Sequence, residues 1–265
     1  MRLSYSTFGE RSNPSILFLH GFMGSGADWD EICDKLQSDC FCILPDLPGH
    51  GKSVGGSDRD YSIEETSRAL MAILDELSIE TVIVVGYSMG GRIGLYTAIE
   101  HPKRIRAVVL ESSSPGLQSQ TERDARMELD RKRADMIVKL GMDAFIDEWY
   151  DATLFESLHS SETRLSKLKA NRRNNIPDEL AKSLIHAGTG AQPSLWERLG
   201  EMDISALLLC GELDDKFTVI NREMSHLIKS AKLTIVPGVG HNVHFEQPAV
   251  YSRLLSEFAE SMINR

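Results

Sequence analysis

The chain has 265 residues, with 39 acidic and 29 basic side chains and a formal charge of −10. That balance argues against nucleic acid or an anionic membrane as the main partner, but leaves room for a small anionic substrate where basic residues gather locally. Hydrophobic residues at 42% and charged residues at 26% are ordinary for a soluble globular protein, and a chain near this size buries roughly three-quarters of its unfolded surface.

The elements follow in order. "SILFLHG" (15–21) and "FCILPDL" (41–47) are apolar segments of strand length ending in Gly/Pro turns, and "RLSYSTFG" before them fits an edge strand or short hairpin. The spacing of Ile63, Leu70, Ile73, Leu74 and Leu77 predicts a helix over 63–77, with Ser62 as its N-cap and Glu65 three residues on. "TVIVVG" (81–86) reads as a strand covered on both faces, a helix follows over about 89–100, and "IRAVVLES" (105–112) is the next buried strand. From 113 to 200 strong strand runs stop and charged helical segments take over. Alternation returns with "ISALLLCGE" (204–212), a helix near 218–229, "KLTIVPG" (232–238) and a closing helix from about 248. The class is α/β with a mostly parallel sheet: a core of residues 1–112 and 201–265 interrupted by a helical insert, 113–200.

The four cysteines, Cys33, Cys40, Cys42 and Cys210, have no zinc-site spacing and are too few for a disulfide scaffold, so they read as buried, reduced thiols. No secretory h-region opens the chain and no apolar run is long enough to span a bilayer; the expected location is the cytoplasm.

Gly86-Tyr87-Ser88-Met89-Gly90 stands where a strand ends and a helix begins, the context a nucleophile elbow requires. A reactive serine needs a base and an orienting carboxylate, expected after later strands in the order Ser, Asp/Glu, His. "LLLCGELDD" (207–215) supplies Asp214, favoured over Asp215. "PGVGHNVHFEQP" (237–248) supplies His241, favoured over His244. The two oxyanion-hole N–H groups fall to Met89, which follows the serine, and to Phe22 in the glycine-rich loop "LHGFMGSGADW" (19–29). His20 and His50 lie near this site but read as structural groups. No metal cluster and no dinucleotide fingerprint is present, so neither metal nor cofactor is expected.

Taken together, the segments resemble the α/β-hydrolase superfamily. With "GYSMGGR" (86–92), "LESSSPGL" (110–117), "ERDARMELDRKRAD" (122–135), "WYDATLFESL" (149–158), "NRRNN" (171–175) and "GELDDKF" (211–217), the chain looks like the 2-succinyl-6-hydroxy-2,4-cyclohexadiene-1-carboxylate synthases, lyases of menaquinone biosynthesis. The resemblance implies the α/β-hydrolase fold, with a parallel sheet flanked by helices and a helical cap inserted after the sixth core strand. It implies elimination of pyruvate from a cyclohexene tricarboxylate, with the Ser88–His241–Asp214 set drawing off a proton. It assigns substrate-binding positions to Arg92, Arg126 and Arg172, the last with Arg173 as a close alternative, and to the aromatic residues Tyr87 and Trp149.

Bidentate, permanently charged arginine suits carboxylate ligands. On composition alone, Arg123, Arg126, Arg131, Lys132 and Arg133 also fit a solvated helix face with i,i+4 ion pairs. The competing function is a serine hydrolase acting on an ester or on a C–C bond of a vinylogous diketone. The expected partner is a small anionic substrate, with neither nucleic acid nor membrane, and the expected state is a monomer or weak homodimer.

Overall fold

The computed structural model describes residues 1–263; Asn264 and Arg265, the end of the expected core segment 201–265, lie outside the described residues. Seven strands form one sheet: β1 (Tyr5–Phe8), β2 (Ser15–Leu19), β3 (Phe41–Pro45), β4 (Val82–Tyr87), β5 (Ile105–Glu111), β6 (Ser205–Gly211) and β7 (Ala231–Val236). Their order is β1-β3-β2-β4-β5-β6-β7, with β1 antiparallel to β3 and every other pairing parallel.

The side-chain period of two sorts the strands onto two faces. Leu17, Leu19, Val82, Val84, Val108, Leu110 and Leu208 enter one hydrophobic cluster; Ile16, Phe18, Ile83, Val85, Ala107, Val109 and Leu209 enter the other. Helices α1 (Asp30–Leu36) and α9 (Pro248–Ile263) close one face, joined by the single-turn α8 (Val243–Glu246) before α9. Helices α2 (Ile63–Glu76), α3 (Met89–Glu100) and α7 (Asp215–Leu227) close the other. Ser62 caps α2 as expected, its side chain accepting the Glu65 N–H at 3.2 Å.

Between β5 and β6 the chain leaves the sheet. It forms α4 (Gln120–Tyr150), broken at Gly141 (φ 80°, ψ 175°), then α5 (Glu162–Arg172) and α6 (Pro177–Ala187). These helices share a third hydrophobic cluster that includes Ile137, Phe145, Ile146, Leu168 and Leu180, and that continues onto Met23 of the core. The excursion begins after the fifth strand of the chain, not the sixth. The N-terminal segment makes one strand, because Gly9 (φ 81°) and the turn closed by Asn13 N–H on the Glu10 carbonyl lead straight into β2.

The sheet order reverses between β2 and β4, and crevices at such switch points are where parallel sheets hold their sites. The contact there is tight. A Cβ on Gly90 would run into the Leu19 carbonyl at the end of β2, and one on Gly86 into the Gly90 carbonyl. We expect Gly90→Ala to cost ~1–3 kcal/mol or more through overpacking, a fall in melting temperature of roughly 3–10 °C. Gly200→Ala, where a Cβ meets nothing within 4 Å, should leave it unchanged; thermal unfolding of the two variants checks the difference.

Candidate active site

Ser88 sits between β4 and α3 with φ 50° and ψ −106°, a backbone conformation that L-residues rarely adopt and that costs of order 1–3 kcal/mol. The strain lifts its side chain clear of the sheet, and the Ser88 N–H is held by the Glu111 carbonyl at 2.9 Å. His241 Nε2 lies 3.2 Å from Ser88 Oγ, and His241 Nδ1 lies 2.6 Å from Asp214 Oδ2. Asp214 is the N-cap of α7, accepting the Phe217 N–H at 3.4 Å, so its second oxygen is held while the first takes the imidazole. Asp215 is exposed on the first turn of the same helix. The arrangement can move a proton from Ser88 to His241 and stabilise the resulting imidazolium.

The loop after β2 carries Phe22, which lines the same cavity as Ser88, Met89 and His241. Two buried histidines shape it. Leu47 N–H donates to His20 Nε2 at 2.9 Å and Met23 N–H to His50 Nε2 at 3.1 Å, while each Nδ1 donates to a backbone carbonyl, of Gly21 and Pro48 respectively. Those bonds fix the neutral Nδ1–H tautomer in both rings. Burial, then the neighbouring His20, pushes His50 down to about 3, and burial lowers His20 as well. They hold the loop as uncharged braces.

His244 is not a second base facing Ser88. Its Nδ1 is 2.8 Å from the Glu111 carboxylate and its ring stacks on Trp29 with centroids 4.1 Å apart.

The cavity over Ser88 has a volume of about 820 Å³. Phe22, Met136, Phe145, Trp149 and Phe155 supply apolar wall; Arg92, Arg126, Arg133 and Lys216 supply positive charge against Glu148 and Asp151. Arg92 is 8% exposed. Its guanidinium donates to two neutral acceptors, Gln192 Oε1 at 2.6 Å and the Ala187 carbonyl at 2.9 Å. Burial, and then the nearby Arg126, lowers it to about 10. Arg126 bonds Asp130 at 2.8 Å. Arg133, two turns on, lies over the Trp149 ring at 5.3 Å. Burial and then Arg126 hold both Arg133 and Lys216 below their usual ranges, with Arg133 also acting on Lys216. Four cations thus gather at the cavity, Arg126 and Arg133 sharing the one carboxylate of Asp130.

Residues 14–248 match the family model described as the alpha/beta hydrolase fold. A protein of Bacillus subtilis (strain 168), provisionally named as a 2-succinyl-6-hydroxy-2,4-cyclohexadiene-1-carboxylate synthase, is 38% identical over 99% of this chain and 96% of its own. The Escherichia coli O1:K1 / APEC synthase of that name is 33% identical over 91% of this chain and 92% of its own. The structure of MenH from S. aureus superposes with a TM-score of 0.93 at 30% identity, covering 97% of this chain and 98% of that one. The chain belongs to the 2-succinyl-6-hydroxy-2,4-cyclohexadiene-1-carboxylate synthase family of the α/β-hydrolase fold. A Thermogutta terrifontis esterase, with a TM-score of 0.84 at 20% identity, shares the fold alone.

Of the positions that the family resemblance singled out, Arg92, Arg126 and Trp149 line the cavity, whereas Tyr87 and Arg172 do not. Tyr87 follows the strand's alternation into the cluster with Ile83 and Val85, and its ring packs beside His241 (5.4 Å) and His244 (4.9 Å). Arg172 is 4% exposed and grips Asp28 with two parallel hydrogen bonds of 2.8 and 2.7 Å, adding Tyr150 Oη at 3.2 Å. It is a strut between α5 and the 20–29 loop, not a wall of the cavity. Arg173 bonds Asp143 on the surface at 2.5 Å.

The sequence reading left two cavity cations aside. Arg133 had a signal, its seven-residue spacing from Arg126 on one helix face. Lys216 had another, its place on the first turn after Asp214.

Burial pushes the Asp28 carboxyl up, but the charge and hydrogen bonds of Arg172 outweigh it and hold it below the ordinary 3.8. The stabilisation from this pair is therefore full above about pH 4 and lost as pH falls through the lower folded value. Arg172→Ala strands Asp28 without its partner and is expected to cost ~3–5 kcal/mol at pH 7. Denaturant unfolding at pH 7 and pH 3 checks this, the deficit shrinking at the lower pH.

Proposed function

We propose that this protein eliminates pyruvate from 2-succinyl-5-enolpyruvyl-6-hydroxy-3-cyclohexene-1-carboxylate to give 2-succinyl-6-hydroxy-2,4-cyclohexadiene-1-carboxylate, as a carbon–oxygen lyase of menaquinone biosynthesis. The observation that carries the reading is Arg92: a buried guanidinium lining the cavity with Ser88, whose hydrogen bonds go to two neutral acceptors and whose attraction to Asp130 is outweighed by repulsion from Arg126. Burying such a charge is costly without a counter-charge, and a substrate carboxylate supplies one. A simple esterase has no need of this.

Ser88, its proton drawn toward His241 with Asp214 behind, takes the proton from the ring carbon α to the succinyl carbonyl. That C–H bond breaks, a double bond forms toward the adjacent ring carbon, the existing ring double bond shifts by one, and the bond to the enolpyruvyl oxygen breaks. The Phe22 and Met89 N–H groups stabilise the intermediate enolate oxygen. His241 returns the proton as the leaving enolate becomes pyruvate, and no acyl-enzyme forms. Arg92, Arg126, Arg133 and Lys216 hold the three carboxylates, and Trp149 and Phe155 flank the ring.

Residues 113–200 act as a cap over this site and residues 1–112 with 201–265 as its core. The enzyme works in the cytoplasm as a monomer or weak homodimer. The four cysteines, buried and unpaired, fit a reducing compartment.

Incubation with the enolpyruvyl substrate, followed by coupled detection of pyruvate, is expected to show rapid release with little turnover of p-nitrophenyl esters. Fast ester turnover without pyruvate release favours the hydrolase reading instead. Arg92→Ala removes a charge-assisted hydrogen bond worth ~1.5–3 kcal/mol, so KM for the tricarboxylate should rise about 10–100-fold. Lys216→Ala, with its more exposed ammonium, should raise it by less. KM for a neutral ester should stay within about twofold in both variants; equal rises on both substrates would sink the carboxylate-clamp idea.

A further inference from the structure

A second imidazole–carboxylate pair lies under the first and takes no part in the proton path. Glu111 ends β5 and is fully buried; His244 is 5% exposed. The Glu111 carboxylate accepts the His244 backbone N–H at 3.1 Å and the His244 Nδ1–H at 2.8 Å. The same residue's backbone carbonyl accepts the Ser88 N–H at 2.9 Å. Glu111 is thus bonded through its main chain to the reacting serine and through its side chain to the segment bearing the base, three residues past His241.

Other bonds order that segment differently. Glu246 accepts the Gly240 and Asn242 N–H groups, which ties the segment to itself, and Asp214 ties His241 to α7. The Glu111 bonds tie it to the strand whose end carries the Ser88 turn's partner. The His244 ring is wedged between Trp29 (4.1 Å) and Tyr87 (4.9 Å), so it has one orientation in which Nδ1 meets Glu111. An apolar pair would fill this space without the desolvation cost of a carboxylate. What the hydrogen-bonded pair adds is direction and distance.

We propose that Glu111 and His244 are positioning residues that set the separation of Ser88 from His241. A shift of about 1 Å between reacting groups can cost on the order of 10²-fold in rate. Neither side chain lines the cavity, so substrate affinity should be spared.

The test uses His244→Phe, which keeps the ring against Trp29 but removes the donor, His244→Asn, which keeps a side-chain N–H, and Glu111→Gln. Ser88 reactivity is read by p-nitrophenolate release on phosphonylation with a p-nitrophenyl alkylphosphonate, beside kcat and KM for pyruvate release. We expect His244→Phe to react roughly 10–100-fold more slowly with KM within about threefold and the melting temperature within a few degrees. His244→Asn should recover most of the rate. Wild-type rates in His244→Phe, an asparagine variant as slow as the phenylalanine one, or a parallel collapse of rate, KM and melting temperature overturns the proposal. Should His244→Phe fail to fold, Glu111→Gln decides alone: slowed phosphonylation supports the proposal and an unchanged rate overturns it. Phosphonylation needs no native substrate, so loss of the pyruvate-releasing reading leaves this outcome readable.

Discussion

A charge taken out of water has to be answered by another charge or by a dense set of dipoles, and the way each buried ion meets this demand separates scaffold from site. Arg172 is answered in full by Asp28, Glu111 by both N–H groups of His244, and Asp214 by His241 and the N-terminus of α7. Arg92 hydrogen-bonds an amide and a peptide carbonyl, and the pull of Asp130 on it is outweighed by the push of Arg126. The direction of the shifts says the same thing: its partner raises Arg172 above the ordinary arginine range, whereas burial and Arg126 bring Arg92 down. Two buried arginines therefore stand in opposite electrostatic settings. One closes the structure; the other, on the proposed reading, meets the substrate.

The parts of the fold set by local physics were legible in the amino-acid sequence. Strands covered on both faces read as continuous apolar runs, and β4, β5 and β6 fall within a residue or two of "TVIVVG", "IRAVVLES" and "ISALLLCGE". The elbow was legible because steric demands at Gly86 and Gly90 are written in the residues themselves. The charge partners were not. Asp28 and Arg172 are 144 residues apart, and Arg92 meets acceptors 95 and 100 residues away, so no spacing rule connects them. Tyr87 is an intermediate case: the family resemblance set it at the pocket, yet the alternation of β4 already assigned it to the opposite face with Ile83 and Val85.

The helical insert and the sheet are joined at the loop that follows β2. Asp28 and Met23, both in the stretch that carries Phe22, receive hydrogen bonds from Arg172 and Asn175 of the insert, and Tyr61 and Gly55 of the core bond Glu179 on α6. His20 and His50 hold the same loop from below as neutral braces. The loop bearing Phe22 is thus fixed between two layers, while the segment bearing His241 hangs on Asp214, Glu246 and Glu111.

The four cations gathered at the cavity have a bearing on how a turnover ends. On the proposed chemistry a single trianion enters, and the bond that breaks divides its carboxylates between two molecules, one carrying two and the other carrying one. Neither fragment can engage the whole set of cations that held the parent. Each leaves with a weaker electrostatic hold, and the independent motion of two bodies adds an entropic bias toward departure. A pocket tuned to total ligand charge thereby discriminates against its own products, and the cleavage that completes the reaction also loosens the grip.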